Sequence, residues 1–397
     1  MKAELPVYLD HNATTPPLPA AVAEMVDVLQ RVWANPSSTH AAGQAARRVL
    51  ADARLRVACF LGCQSAELVF TSGATEANHM ALLGALAARR GRPRLLLSAV
   101  EHPGLLALAR RLHVEGTAKV DLIPVDHEGR LDLDAARRLM GPDVALVSVM
   151  GANNETGVIM PVAAVAALAR ACGAWMHVDA TQLAGKAPLS FADSGVDLMS
   201  VSAHKLGGPK GVGALLLRKG LVLPPLLSGR QERQRRGGTE NLPGIAGFAA
   251  ACEHASLSLA LQIASHCSLR DRLERGLLLA LPQVHLYGAG AERLSNTSCL
   301  RFGELPAELV LDRLERAGVQ ASSGAACGAG GTQPSHVLLA MGESPQRARM
   351  GVRLSLGLDT SPVDIAHTLR AAVQALSPLL KVQLAPLQEQ SLAESTP

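Results

Sequence analysis

The chain has 397 residues, of which 48% are hydrophobic, 18% charged and only 2% aromatic. This is a globular composition, long enough for two domains, with a core that must be built from Leu, Val and Ala. A formal net charge of +4 gives no case for a nucleic-acid face, which needs clustered basic charge. The seven cysteines are scattered and odd in number, which argues for a reducing cytoplasm over a disulfide framework.

The N-terminus is short and polar and reaches Pro6 before an apolar run forms, so no signal peptide is expected. No apolar stretch is read as approaching the ~18 to 20 residues of a membrane helix. Helical spacing of apolar residues predicts a helix over 44–61. On that reading Cys59 and Cys63 are turn-spaced core positions, and with no second pair they make no metal site. A short strand at 68–70 leads into Thr71-Ser72-Gly73-Ala74-Thr75-Glu76-Ala77-Asn78. Its small residues and the following helix N-terminus suit a phosphate cradle at Ala74 and Thr75, with Glu76 pointing away. Apolar runs at 95–98, 144–149, 175–178 and 198–201 alternate with helical segments such as 162–172. The alternation predicts βαβ units and a mostly parallel sheet covered on both faces.

Two of these runs end in chemistry. His177-Val178-Asp179-Ala180-Thr181-Gln182 closes one, placing a carboxylate at a strand end. Asp179 there suits a protonated pyridine nitrogen, or it simply caps a helix. Residues 202–213, Ser-Ala-His-Lys-Leu-Gly-Gly-Pro-Lys-Gly-Val-Gly, follow the other. Lys205 then lies at the C-terminal mouth of a strand, where open α/β sheets bind ligands. It either condenses with a carbonyl or is a surface lysine in a Gly-rich turn. The basic run 230–236 reads as a solvated loop. A long helical pattern at 246–280 precedes strand candidates at 284–287, 297–301 and 352–356, which suggests a second, smaller α/β domain. The expected division is 15–259 for the large domain and 1–14 with 260–383 for the small one. Residues 384–397 read as a loose tail. Within the small domain, Cys327 stands in Ser-Ser-Gly-Ala-Ala-Cys-Gly-Ala-Gly-Gly at 322–331, among residues too small to bury it. Gly324, Gly328, Gly330 and Gly331 would supply backbone freedom.

Lysine, aspartate, phosphate turn and exposed cysteine together resemble the pyridoxal-phosphate cysteine desulfurases, the NifS/IscS-like group of the class V aminotransferases. The likeness spans nearly the whole chain. It is carried by Tyr8-Leu9-Asp10-His11-Asn12-Ala13-Thr14-Thr15-Pro16, Asn35-Pro36-Ser37-Ser38-Thr39-His40, Glu101-His102-Pro103 and Asn153-Asn154-Glu155-Thr156-Gly157. Pro334-Ser335-His336-Val337-Leu338 and Val352-Arg353-Leu354-Ser355-Leu356-Gly357 complete it. Arg230, in Ser228-Gly229-Arg230-Gln231-Glu232, and Ala325 depart from the group's usual glycine and serine, and the tail does not resemble its scaffold-docking end.

The resemblance implies the type I pyridoxal-phosphate fold, an aminotransferase-like α/β architecture with a mostly parallel, seven-stranded-type sheet in the large domain and a smaller α/β domain. It implies that Lys205 holds pyridoxal 5'-phosphate covalently and that Asp179 faces the ring nitrogen. Asn154 and Gln182 would lie near the phenolic oxygen, and His102 would stack on the ring and move protons. Ala74, Thr75, Ser202 and His204 would hold the phosphate, with Thr239 reaching that of a neighbouring subunit, hence a homodimer. Arg353, helped by Asn35, would grip the substrate carboxylate. L-cysteine would become L-alanine, with its sulfur left on Cys327 as a persulfide for an acceptor protein not identified by the sequence. Iron–sulfur cluster assembly, with Cys327 a transient cluster ligand, is one destination of that sulfur. tRNA thiolation and a dedicated biosynthetic pathway are others. No resident metal, nucleic acid or membrane enters this reading. Selenocysteine lyase or another C–S lyase of the same fold is the alternative, and a non-enzymatic persulfide carrier is the alternative of another class.

Overall fold

The structure is a computed structural model that describes residues 6–324 and 333–381. The apolar runs assemble into a seven-stranded sheet in the order Leu68–Thr71, Gly213–Leu217, Leu198–Ser202, Trp175–Asp179, Val144–Ser148, Arg94–Ser98, Lys119–Ile123. From Leu198–Ser202 to Lys119–Ile123 all neighbours are parallel. Gly213–Leu217 runs antiparallel to both of its neighbours. Val144–Ser148 and Leu198–Ser202 are buried end to end. A sheet covered on both faces has no polar side to alternate with, so such strands read as unbroken apolar runs.

The expected helices at 44–61 and 162–172 span Ala41–Phe60 and Val162–Ala171. The first is capped by His40, whose ring accepts from the Gly43 amide. It stops before Cys63, where Gly62 turns the chain at φ 63°. Cys59 is therefore exposed on the helix and Cys63 half-buried beyond it, not a pair of core positions as expected.

A second sheet is antiparallel, in the order Ser322–Ser323, Val352–Ser355, Thr297–Phe302, Val284–Tyr287. Val7–Tyr8 pairs in parallel with Val319–Gln320. Leu9, Phe302, Leu354 and Ile365 belong to a core distinct from that of the large sheet. The helix Leu242–Ala280 joins the two. Its Ile245, Phe248 and Cys252 enter the first core, and Leu269, Leu273 and Leu277 the second.

That helix corrects one expectation. It contains an 18-residue window of mean hydropathy 1.3, long and apolar enough to cross a membrane. Over half of the window is buried inside the protein, so its Ala-rich face is taken up by packing between layers.

Beneath the sheet mouth, His177 bridges three strands. Its Nδ1 meets Ser148 Oγ at 2.8 Å and its Nε2 meets Ser200 Oγ at 2.9 Å. Burial pushes the ring down to about 4, against the pull of Asp179. A depressed histidine contributes stability above its unfolded value of 6.5, and that stability is lost as pH falls toward the folded value. The loss from His177 is about 3 kcal/mol between those limits. We expect the unfolding midpoint to drop on acidification, and His177→Gln, which cannot titrate, to flatten that acid limb. Parallel limbs for the two proteins in urea melts at pH 7.5 and 4.5 would rule this out.

Candidate active site

Parallel strands deliver their C-terminal ends to one edge of the sheet. Trp175–Asp179 ends in Asp179, and Leu198–Ser202 ends in Ser202, followed by the tight turn Ala203–Lys205. Loops after Arg94–Ser98 and Val144–Ser148 bring in His102 and Asn154. The result is a cavity of about 630 Å³. Ala74, Thr75, His102, Asn154, Asp179, Gln182, Ser202, His204, Lys205 and Arg353 all line it. Arg353 comes from the second sheet, on Val352–Ser355.

One expected residue is not brought there. Asn35 is exposed and lies outside the lining, because its Oδ1 accepts from the Ser37 amide at 2.8 Å and closes a local turn. Thr239, expected at a neighbouring subunit's phosphate and not in this cavity, is exposed and lines an adjacent cavity of about 250 Å³ with Arg236 and Glu232. Ser72 and Gly211 border both cavities. Cys327, with Ala325, Gly328, Gly330 and Gly331, lies outside the described residues, as does the tail at 384–397.

Lys205 is half-buried, and its Nζ donates to the carbonyls of Asn12 and Ala13 at 2.6 and 2.7 Å. Asp179 is 6% exposed, and its Oδ2 accepts from Asn78 Nδ2 at 2.8 Å while Oδ1 accepts from the Thr181 amide. One oxygen thus caps a turn, as the local reading has it, and the residue also lines the cavity. His102 likewise caps a helix and lines the cavity: its Nδ1 accepts from the Gly104 amide at 3.1 Å. Burial holds it below the usual 6.5 against the attraction of Asp179. A neutral ring whose Nδ1 accepts must carry its hydrogen on Nε2. His204, bonded through Nδ1 to Thr14 Oγ1, is pushed down to about 4 by burial and then by Lys205, Lys210 and Lys186.

The helix Ala74–Ala88 begins at Gly73 with no side-chain cap, which leaves its first amides for a ligand. Contrary to expectation, Glu76 borders this cavity and does not simply point away, but its carboxylate is held by Arg236 and by the Ser72 amide. Although burial opposes ionisation, those bonds keep Glu76 below its ordinary value.

Contrary to expectation, the run 230–236 is not a solvated loop, because Arg236 pairs with Glu76 and Glu232 is buried. Glu232 takes Arg54 in a two-pronged ion pair and accepts the Phe70 amide. This anchor holds Glu232, Arg233 and Gln234 at positive φ, between 45° and 65°. Arg230 itself has ordinary right-handed angles, φ −93° and ψ −18°, so nothing at that position demands a glycine.

Several site residues escaped the sequence reading. Asp10 Oδ1 accepts from Arg353 Nη2 at 2.7 Å, and the Asn154 carbonyl takes Nη1 at 3.0 Å. Asn12 ties the two sheets together. Its amide donates to Ser355 Oγ, its Nδ2 to Asn154 O and Thr297 Oγ1, and its Oδ1 accepts from Lys186 and Asn296. Glu155, raised by burial, accepts from Ser335 Oγ at 2.5 Å. A Cβ on Gly324 would sit 2.1 Å from Glu155 Oε2, so the glycine there answers a close approach and not a need for freedom. Asp10, Asn12, Glu155 and Ser335 all sit inside the quoted motifs, which was the available signal. Lys186 had only its spacing of four from Gln182.

Residues 7–367 match the family model described as aminotransferase class-V. A cysteine desulfurase of Cereibacter sphaeroides is 44% identical over 380 residues, 94% of this chain and 97% of that protein.

The chain belongs to the class V aminotransferase family.

A solved NifS-like protein superposes with a TM-score of 0.88 at 33% identity, covering 94% of this chain and 100% of that one. A solved complex of SspA with cysteine superposes with a TM-score of 0.75 at 29% identity, covering 88% and 98%. The fold expected from the sequence is therefore the one found, with a mostly parallel sheet and a second, antiparallel one beside it.

Proposed function

We propose that the chain is a pyridoxal-phosphate-dependent cysteine desulfurase that converts L-cysteine to L-alanine and leaves the sulfur on Cys327. The observation that carries this reading is the meeting of Lys205 and Asp179, at adjacent strand ends, with Arg353 from the second sheet in one cavity. The names of the relatives support the activity, and a cysteine-bound relative of the same fold supports the substrate.

The donor set fits the cofactor. Uncapped amides at Ala74 and Thr75, with the hydroxyls of Thr75 and Ser202, suit a phosphate. Asp179 offers a carboxylate for a pyridinium, and the Asn154 side-chain amide lines the cavity with its Oδ1 buried and without a partner among the described residues. When bound, pyridoxal phosphate supplies an electron sink for the substrate's α-carbon.

The chain's own residues do the rest. Lys205 accepts the α-proton at Nζ and returns it. Neutral His102 carries hydrogen on Nε2 at the cavity wall. Arg353 holds the substrate carboxylate through its planar fork. The Cys327 thiolate attacks the substrate sulfur, so an S–S bond forms and the C–S bond breaks. The C–S electron pair stays on the carbon side, which is protonated to alanine. A homodimer with Thr239 at the partner's phosphate, a cytoplasmic location, the division into domains 15–259 and 1–14 with 260–383, and an iron–sulfur acceptor belong to the same proposal. The free cysteines among the described residues fit a reducing compartment.

Cys327→Ala tests the reading. The variant should keep the yellow colour of the bound cofactor while releasing no sulfide from cysteine. Normal turnover by this variant would remove Cys327 from the mechanism.

A further inference from the structure

Lys186 is 6% exposed and has no part in the steps above. Burial holds its ammonium well below the usual 10.5, and Lys205 and Arg353 press the same way. A methionine of similar volume would fit such a site at less cost. Its contacts explain what a lysine adds. Nζ donates to Asn12 Oδ1 at 2.9 Å and to Gln182 Oε1. The other end of the same amide, Gln182 Nε2, donates to the Asn12 carbonyl at 3.0 Å.

A glutamine amide has two ends of nearly equal shape, and only its neighbours decide which way it points. Here both neighbours demand one orientation. The lysine amine, charged or neutral, has N–H groups enough for both of its acceptors. The Asn12 carbonyl can only accept. Oε1 must therefore face Lys186 and the NH2 end must face away from it. Gln182 lines the cofactor cavity, and Nε2 keeps a second hydrogen beyond the one given to Asn12. Without Lys186, Oε1 loses its donor and only the Asn12 carbonyl still favours this orientation, so the amide is held less firmly and its oxygen can turn toward the cavity, where a phenolic oxygen would repel it.

We propose that Lys186 is a positioning residue that acts through Gln182, locking the amide with its donor end toward the cofactor. The inference rests on the functional reading above, in which Gln182 lies near the ring's phenolic oxygen.

The test uses the holoenzyme and a spectroscopic readout. The visible absorbance band of the bound cofactor is titrated with pH in wild type, Lys186→Met, Gln182→Ala and the double variant. Lys186→Met should displace the titration by on the order of one pH unit. The double variant should match Gln182→Ala alone, because two residues acting through one contact are not additive. Lys186→Gln, which keeps an N–H donor without the charge, should restore the wild-type titration. It also serves as the test if the methionine variant does not fold. An unmoved titration in Lys186→Met, additive displacements, or a Lys186→Gln titration displaced like that of the methionine variant would overturn the proposal. A wild-type protein that gains no visible band from pyridoxal phosphate would overturn both this inference and the functional reading. A normal wild-type band with any of the other three results overturns the inference alone.

Discussion

Lys205→Ala is expected to abolish turnover, lowering kcat for cysteine by on the order of 10⁴-fold or more, and to remove the yellow colour of the holoenzyme. Two functions vanish with one amine: the covalent hold on the cofactor and the base for the α-proton. The structure adds a control. Lys205 also donates to the carbonyls of Asn12 and Ala13, so the substitution loosens the N-terminal segment at the sheet mouth. Lys205→Arg keeps N–H donors for those carbonyls but not the amine that condenses with a carbonyl, and should have a melting temperature near that of wild type, which separates lost chemistry from lost structure. Alanine formation and the visible spectrum are the measurements. A Lys205→Ala protein that still makes alanine from cysteine at a comparable rate would mean the site has been misread.

Arg353→Lys is expected to raise KM for cysteine by about 10- to 100-fold with a smaller change in kcat. The size follows from one charge-assisted hydrogen bond, about 1.5–3 kcal/mol. The guanidinium is 4% exposed and already oriented by Asp10 and by the Asn154 carbonyl. A lysine keeps the charge but not the fork, so it cannot meet both carboxylate oxygens in one plane. Arg353→Ala should be worse in a second way. It strips Asp10 and Asn154 O of their partner and so lowers stability by about 3 kcal/mol or more. Steady-state kinetics with the lysine variant isolates recognition from folding. An unchanged KM would assign the carboxylate to some other group.

The positions of Lys205 and Asp179 were legible because a buried parallel strand writes itself as an apolar run, and its last polar residue falls at the ligand edge. Ser202 and His204 came with the same run. Helix limits were read to within three residues at Ala41–Phe60, where apolar spacing and His40 coincide. The helix Leu242–Ala280 was seen as a helix from 246 onward but not as an apolar one, since Ala and Gly dilute its Leu and Phe over so long a span.

What could not be read locally depends on pairs far apart in the chain. Arg353 and Asp10 are 343 positions apart and meet because Val352–Ser355 lies against the N-terminal segment, which enters through the Val7–Tyr8 pairing and the Asp10 bridge to Ser355. Asn35 sits in a motif of the family yet is turned outward by its own turn. Gln182 could be named from its place after a strand, but which end of its amide faces the ligand follows from Lys186 and Asn12 together. Periodicity and strand ends are properties of neighbouring residues, so the order of letters carries them. A hydrogen bond between segments hundreds of residues apart exists only once the two sheets have packed.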